Sequence, residues 1–231
     1  MKLEICANSY QSAKNAQDAG AHRIELCQEL SVGGITPSYG LLKKVIEELD
    51  IPVFVLIRPR SGNFVYSNDE FVIMKTDIQL CKDLGCHGIV SGVLKEDKAI
   101  DIERTKELVE LSKPLEFTFH RAFDEVKNPN EALEQLIDLG IERVLTSGQK
   151  SSAEKGLEVL QELHKMSKNR ITILAGGGIT SENAGLFKEL GLKEIHASAS
   201  TKLEEKESIF SMPITVSDPQ KIKAILDVIS K

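Results

Sequence analysis

One frame recurs four times along the chain and limits what it can fold into. Asp18-Ala19-Gly20-Ala21-His22-Arg23-Ile24-Glu25 is echoed by Asp83-Leu84-Gly85-Cys86-His87-Gly88-Ile89-Val90, by Asp138-Leu139-Gly140-Ile141-Glu142-Arg143-Val144-Leu145 and by Glu189-Leu190-Gly191-Leu192-Lys193-Glu194-Ile195-His196. Glycine takes the left-handed conformation that ends a helix, and the apolar, often β-branched residues after it begin a buried strand. Each copy reads as helix, glycine stop, strand.

Between these units lie four more apolar runs, at 3–6, 53–57, 115–119 and 171–174, which brings the strands to eight. Stretches 39–49, 71–84, 102–111, 130–139 and 153–166 carry apolar residues at three-to-four spacing and read as amphipathic helices. Thr36-Pro37 and Asn128-Pro129 have the form of an N-cap followed by a first-turn proline. Strand and helix alternating eight times in 231 residues predicts an α/β fold, a closed parallel (βα)8 TIM barrel occupying 1–231 as one domain. The alternative is an open doubly wound sheet. Against it, the one glycine-rich turn, Gly176-Gly177-Gly178, lacks the dinucleotide spacing and follows the seventh strand rather than the first. The stretch 201–219 is polar and reads as a long loop before a last helix at 218–229.

Composition narrows the setting. Twenty-nine basic against thirty-five acidic side chains leave a net charge of −6, which argues against a nucleic-acid or anionic-membrane surface. The longest aliphatic-aromatic run, 51–57, is far shorter than the roughly 20 residues of a membrane span. Glu4 interrupts any apolar signal region, so no secretory leader is expected. Cys6, Cys27, Cys81 and Cys86 are too sparse for a disulfide framework, and a cytoplasmic, reducing location fits them.

In such a barrel, function gathers where the strands end. Leu3 and Ile5 alternate with Glu4 and Cys6, and Ile24 and Leu26 with Glu25 and Cys27. The apolar members must face the helices, so both Glu-x-Cys pairs point inward. Carboxylates and thiols converging there need partners. Arg58 at the end of strand three, His120 and Arg121 after strand five, and His196 near the end of strand eight are the candidates. A self-contained ionic core, with arginine neutralising Glu4 and Glu25, is the simpler account of any one of these residues; the whole set at one mouth favours a functional site.

Other groups carry less. His22, Cys86 and His87 precede strands and belong at the opposite, stabilising end, Cys81 at a buried helix face, and His164 at a helix C-terminus. Cys81 and Cys86-His87 do not have a strong zinc spacing. Gly176-Gly177-Gly178 with Thr180-Ser181 could cradle an anion at a helix start, or be a tight turn with a cap.

Seven motifs occur in an order that resembles one family. They are Glu4-x-Cys6, Arg23-Ile24-Glu25-Leu26-Cys27, Gly33-Gly34-x-Thr36-Pro37-Ser38, Ile57-Arg58-Pro59-Arg60, Thr118-Phe119-His120-Arg121-Ala122-Phe123-Asp124, Leu145-Thr146-Ser147-Gly148 and Gly176-Gly177-Gly178-Ile179. Together they resemble the CutC-type copper homeostasis family, nearly throughout the chain to Ser200. The resemblance implies a barrel, a cytoplasmic homodimer or homotetramer, and copper handling in which Cys6 and Cys27 hold the positions put forward as Cu(I) ligands. Two departures are Asn63, where the pattern has aspartate, and Ala197, where some members have a further cysteine.

Two functions follow. Cu(I) is soft and prefers thiolates, so Cys6 and Cys27, with His120 or His196 as a third ligand, would bind it. Glu4, Glu25, Arg58, His120, Arg121 and His196 are harder, ionisable groups suited to holding an anion and moving a proton, and would serve an enzyme acting on a small anionic or sugar-like molecule. The expected partner is a copper ion or a small anionic ligand; no organic cofactor is expected, and the sequence leaves open whether there is a reaction at all. A scaffolding protein without chemistry is least attractive, because a buried charged cluster is a costly way to build a surface.

Overall fold

In the computed structural model, which describes residues 1–203 and 214–230, eight parallel strands close on themselves in sequence order. They are β1 (Lys2–Ala7), β2 (Arg23–Leu26), β3 (Val53–Leu56), β4 (Gly88–Ser91), β5 (Glu116–Phe119), β6 (Arg143–Thr146), β7 (Thr172–Gly176) and β8 (Glu194–Ala197). The ladder between β1 and β8, with Glu4 opposite His196, closes the ring and excludes the open sheet. Helices α1 (Tyr10–Ala19), α2 (Tyr39–Glu48), α3 (Asn68–Asp83), α4 (Ile102–Ser112), α5 (Pro129–Asp138), α6 (Leu157–Ser167), α7 (Ala184–Glu189) and α8 (Pro219–Ser230) connect the strands or follow them.

The frame glycines behave as their spacing requires. Gly20, Gly85, Gly140 and Gly191 have φ of +88, +80, +74 and +81°, so each turns the chain out of a helix where a side chain would be strained. Outward-facing Leu3, Ile5, Ile24, Leu26, Val53 and Val55 are buried with the apolar faces of the helices, which places the main core between barrel and helical ring. Asn128 caps α5 by accepting from Glu131 N–H, with Pro129 in the first turn.

Two expectations are corrected. The cap of α2 is Ser38, which accepts from Leu41 N–H. Thr36 instead ties its loop to the end of β3, its hydroxyl accepting from Arg58 N–H at 2.9 Å and its own N–H donating to Arg58 O at 2.9 Å. Secondly, 201–219 is not simply a loop: β9 (Ser200–Lys202) and β10 (Thr215–Ser217) pair antiparallel. The short β-branched run Thr215-Val216 suffices for an edge pair once it has a support, and Ser217 N–H donating to Ser12 Oγ on α1 supplies one. Residues 204–213 of that stretch lie outside the described residues.

His22 and His87 sit at the strand starts and accept from Leu3 N–H (3.0 Å) and Val53 N–H (3.2 Å). Cys81 and Cys86 are buried in the core, and His164 lies in the last turn of α6. Among the described residues, no helix is long and apolar enough to cross a membrane.

Candidate functional site

The strand registers sort the barrel interior into levels, because each ladder is staggered and inward residues of alternate strands share a height. Following the pairings round the ring places Arg23, Gly88, Arg143 and Glu194 lowest. Above them come Glu4, Phe54, Thr118 and Leu174, then Glu25, Val90, Leu145 and His196, then Cys6, Leu56, His120 and Gly176. Six members of the upper two levels, Cys6, Glu25, Leu56, His120, Leu145 and His196, form the floor of a cavity of about 490 Å³ at the C-terminal mouth.

Below this floor lies an ionic lattice. Arg23 pairs with Glu4 through Nε and with Glu194 through Nη2 (2.5 Å), and Arg143 bridges Glu194 (3.2 Å) to Glu116 (2.6 Å). Both guanidiniums lie about the Phe54 ring, each 5.0 Å from its centroid. Gly88 leaves the room that ring needs, since a Cβ there would collide with it. The compensation expected from Arg58 or Arg121 therefore comes from Arg23, on the same strand as Glu25. The period-two rule that turned Glu25 and Cys27 inward also turns Arg23 inward, so the signal was in the sequence. Arg143 and Glu194 follow from it equally.

Glu4 links the lattice to the floor, its second oxygen lying 2.7 Å from His196 Nδ1. Burial opposes its ionisation, but Arg23 and then His196 outweigh burial and hold the carboxyl down to about 2. Burial likewise opposes charge on His196, yet hydrogen bonds to Cys6 and Glu4 and the nearby Glu25 push its pKa well up. Glu25 has no such partner: burial pushes it up to about 7, and its Oε2 makes no hydrogen bond. The Cys6 thiol, hydrogen-bonded to Cys27 and buried, is also pushed up.

The structure brings Cys6 and Cys27 together, with sulfurs 3.6 Å apart. Cys6 borders the cavity; Cys27 lies fully buried behind it, in an apolar shell of Phe54, Leu56 and Val90 with Leu30 against it. One ligand atom from each of Cys6, Glu25 and His196 lies within 4.8 Å of the others. Arg58 and His120 border the same cavity with Phe64 between them, its ring 5.1 Å from Arg58 Cζ and 4.8 Å from the His120 ring. Burial, and then Arg58, depress His120 to about 3, so its ring is neutral.

Arg121 is a rim residue in a short 3-10 turn, Arg121–Glu125, donating to Asp124 (2.7 Å) and Ser147 Oγ (2.9 Å). Asp124 in turn accepts from Thr146 Oγ1 (2.5 Å) and from Ser147 N–H (3.0 Å), a network that fixes the β6 loop and that inspection of the sequence did not single out. Of the triple glycine, Gly176 ends β7, and Gly177 and Gly178 border the cavity. The turn does not open directly onto a helix: 179–183 intervene, and α7 is only six residues long.

The match to known proteins runs along the same residues. The CutC family model covers residues 1–201, from the first barrel strand to the start of the β9–β10 pair. A CutC family protein of Photorhabdus laumondii subsp. laumondii is 50% identical over 199 residues, 86% of this chain and 80% of that protein. The Homo sapiens copper homeostasis protein cutC homolog is 50% identical over 198 residues, 85% of this chain and 72% of that protein. A crystal structure of CutC from Streptococcus agalactiae superposes with a TM-score of 0.81 at 35% identity, covering 86% of this chain and 98% of that one. With half of the aligned residues shared with such relatives and a family model that spans all eight barrel strands, this chain belongs to the CutC family.

Proposed function

We propose that this chain serves copper homeostasis by binding Cu(I) as cargo at Cys6 and Cys27, with His196 as the third donor. The observation that carries the reading is the pair of sulfurs 3.6 Å apart at the cavity floor, with an imidazole against the outer one. Two thiols are the donors a soft monovalent ion prefers, and their apolar surroundings suit it. Glu4 holds His196 through Nδ1, leaving the other ring nitrogen for an ion, the arrangement in which a buried carboxylate orients a ligating histidine. His120 packs against Phe64 and is not part of this group. Both thiols and the His196 imidazolium must lose a proton to ligate, so Cu(I) affinity is expected to rise with pH.

The test is anaerobic Cu(I) competition against a chromophoric chelator. Cys6→Ser and Cys27→Ser should each weaken binding, and the double variant should remove it; equal affinity for the double variant and the native protein would eliminate the reading. The name of the human relative and the four free cysteines accord with a cytoplasmic copper-handling role, and we expect a homodimer or homotetramer, measurable by sedimentation.

A second reading is favoured by one observation, the buried Glu25 carboxyl held near neutrality at the floor of a roomy cavity. A group so placed can take up and return a proton at physiological pH, with Glu4 and His196 beneath it and Arg121, Gly177 and Gly178 at the rim. An enzyme acting on a small anionic or sugar-like molecule would be stabilised thermally by some member of a panel of phosphates, sugars and carboxylic acids. No stabilisation by any of them, together with an unchanged phenotype for Glu25→Gln, would dismiss it.

A further inference from the structure

The chain has seven arginines, and six of them, Arg23, Arg60, Arg104, Arg121, Arg143 and Arg170, have a carboxylate within 4.0 Å. Arg58 has none among the described residues, although it is one of the three most buried, at 6% exposure. Its Nη1 donates to Val32 O (3.0 Å) and Gly34 O (2.6 Å), and its Nη2 to Gly62 O (2.8 Å), while Phe64 covers one face. Carbonyl dipoles and a ring face orient a guanidinium without neutralising it, and a buried charge lacking a counter-ion is expensive. Among the described residues its Nε meets no acceptor in good hydrogen-bond geometry, and its neighbour is the buried Tyr66 hydroxyl, which brings no charge. A guanidinium with five N–H donors keeps capacity for a carboxylate beyond the three carbonyls it already meets.

His120 presents a second unused donor. It is 4% exposed, and Nδ1 accepts from Ala122 N–H at 3.2 Å, which fixes the proton of the neutral ring on Nε2. Nε2 has no partner. Both residues border the same cavity, and both pack against Phe64. Of the other charges nearby, Arg121 is bound to Asp124 and Glu125 to Lys98, and Lys150 stands exposed to solvent at the rim.

We propose that the Arg58–His120 wall binds a small monocarboxylate, the Arg58 guanidinium supplying the counter-charge and His120 Nε2–H donating to one of its oxygens. A single buried positive charge beside a neutral donor matches a monoanion; a phosphate dianion would require more. The Phe64 ring supplies an apolar wall for the remainder of the ligand. The inference goes beyond copper binding and beyond turnover, since neither Cys6 nor Glu25 takes part in it.

The test uses the metal-free, full-length protein labelled with 15N-histidine, at constant ionic strength in chloride. Acetate, glycolate, pyruvate, benzoate and inorganic phosphate are the probes, and the His120 imidazole signal is identified by its absence from His120→Gln. Carboxylates should move the His120 Nε2–H resonance downfield and saturably, phosphate should not, and Arg58→Lys should weaken binding about 10- to 100-fold, as expected for a charged hydrogen-bond pair. A native protein in which no carboxylate moves that resonance overturns the proposal without reference to whether any variant folds. Equal saturation by phosphate overturns the ligand class. Retention of carboxylate binding in Cys6→Ser/Cys27→Ser separates this site from the copper reading, and loss of it in that variant counts against an independent wall.

Discussion

Replacing Glu25 with glutamine should make the metal-free protein more stable, by an amount that grows as pH rises from 4.5 to about 7. Burial raises this carboxyl from 4.5 to about 7, so the folded chain holds the proton more tightly than the unfolded one. At about 1.36 kcal/mol for each pH unit, ionised Glu25 lowers stability by about 3 kcal/mol once the pH exceeds 7. The penalty vanishes below pH 4.5, where both states are protonated, and grows as pH rises between the two values. Glu4 runs the other way: its lowered pKa, about 2, gives stability that is complete above 4.5 and lost as pH falls towards 2. Glu25→Gln keeps Glu4 and its Arg23 partner, so the difference between variant and native protein above pH 4.5 is dominated by the first effect. Urea unfolding should give the variant an advantage of about 3 kcal/mol at pH 8 that shrinks to about 1 kcal/mol at pH 5. A pH-independent difference, or a variant less stable at pH 8, would show that Glu25 finds a compensating partner and that the argument from its burial is wrong.

Arg23→Met should destabilise the protein by about 3–5 kcal/mol, because Glu4 and Glu194 would both stay buried with their shared cation removed. A loss below about 1 kcal/mol in denaturant titration would mean that Arg143 and His196 can hold the lattice alone. Gly88→Ala should lose about 1–3 kcal/mol, since the added methyl meets a Phe54 ring held between two guanidiniums. An unchanged melting temperature would indicate that the ring moves freely.

The barrel was legible because its signals are local. Gly20, Gly85, Gly140 and Gly191 each announce a helix end within one turn, and alternation within β1 and β2 needs only four or five residues to assign Glu4, Cys6, Glu25 and Cys27 to the interior. The partner of Glu4 was less legible, for it depends on which inward residue of a neighbouring strand shares its height, and that is a property of register. Arg23 stands opposite Glu4 in the β1–β2 ladder, whereas Arg58 comes two residues after β3 ends and turns back to the carbonyls of Val32, Gly34 and Gly62. No periodicity reveals a fold-back of that kind. The β9–β10 pair was hidden differently: polar three-residue strands acquire their preference from docking on α1, which sequence pattern does not display.

The stagger that hides the pairings also divides the mouth into two walls. Cys6, Glu25, Cys27 and His196 come from β1, β2 and β8 or the residues just after them, which are adjacent across the closing ladder, so thiols, carboxyls and imidazole gather on one side. Arg58 and His120 follow β3 and β5 and gather about Phe64 at the same cavity. On the first wall positive and negative groups neutralise one another down to Glu194, and what remains to be satisfied there is the pair of thiols and one carboxyl that resists ionisation. On the second wall a cation and a neutral donor have no anion. A ligand that met only the first wall would leave Arg58 buried and uncompensated, and one that met only the second would leave the sulfurs unused. The two walls therefore ask for different chemistry, a soft cation and a carboxylate. Because they open on one cavity, occupancy of either should alter affinity at the other by the same factor in both directions.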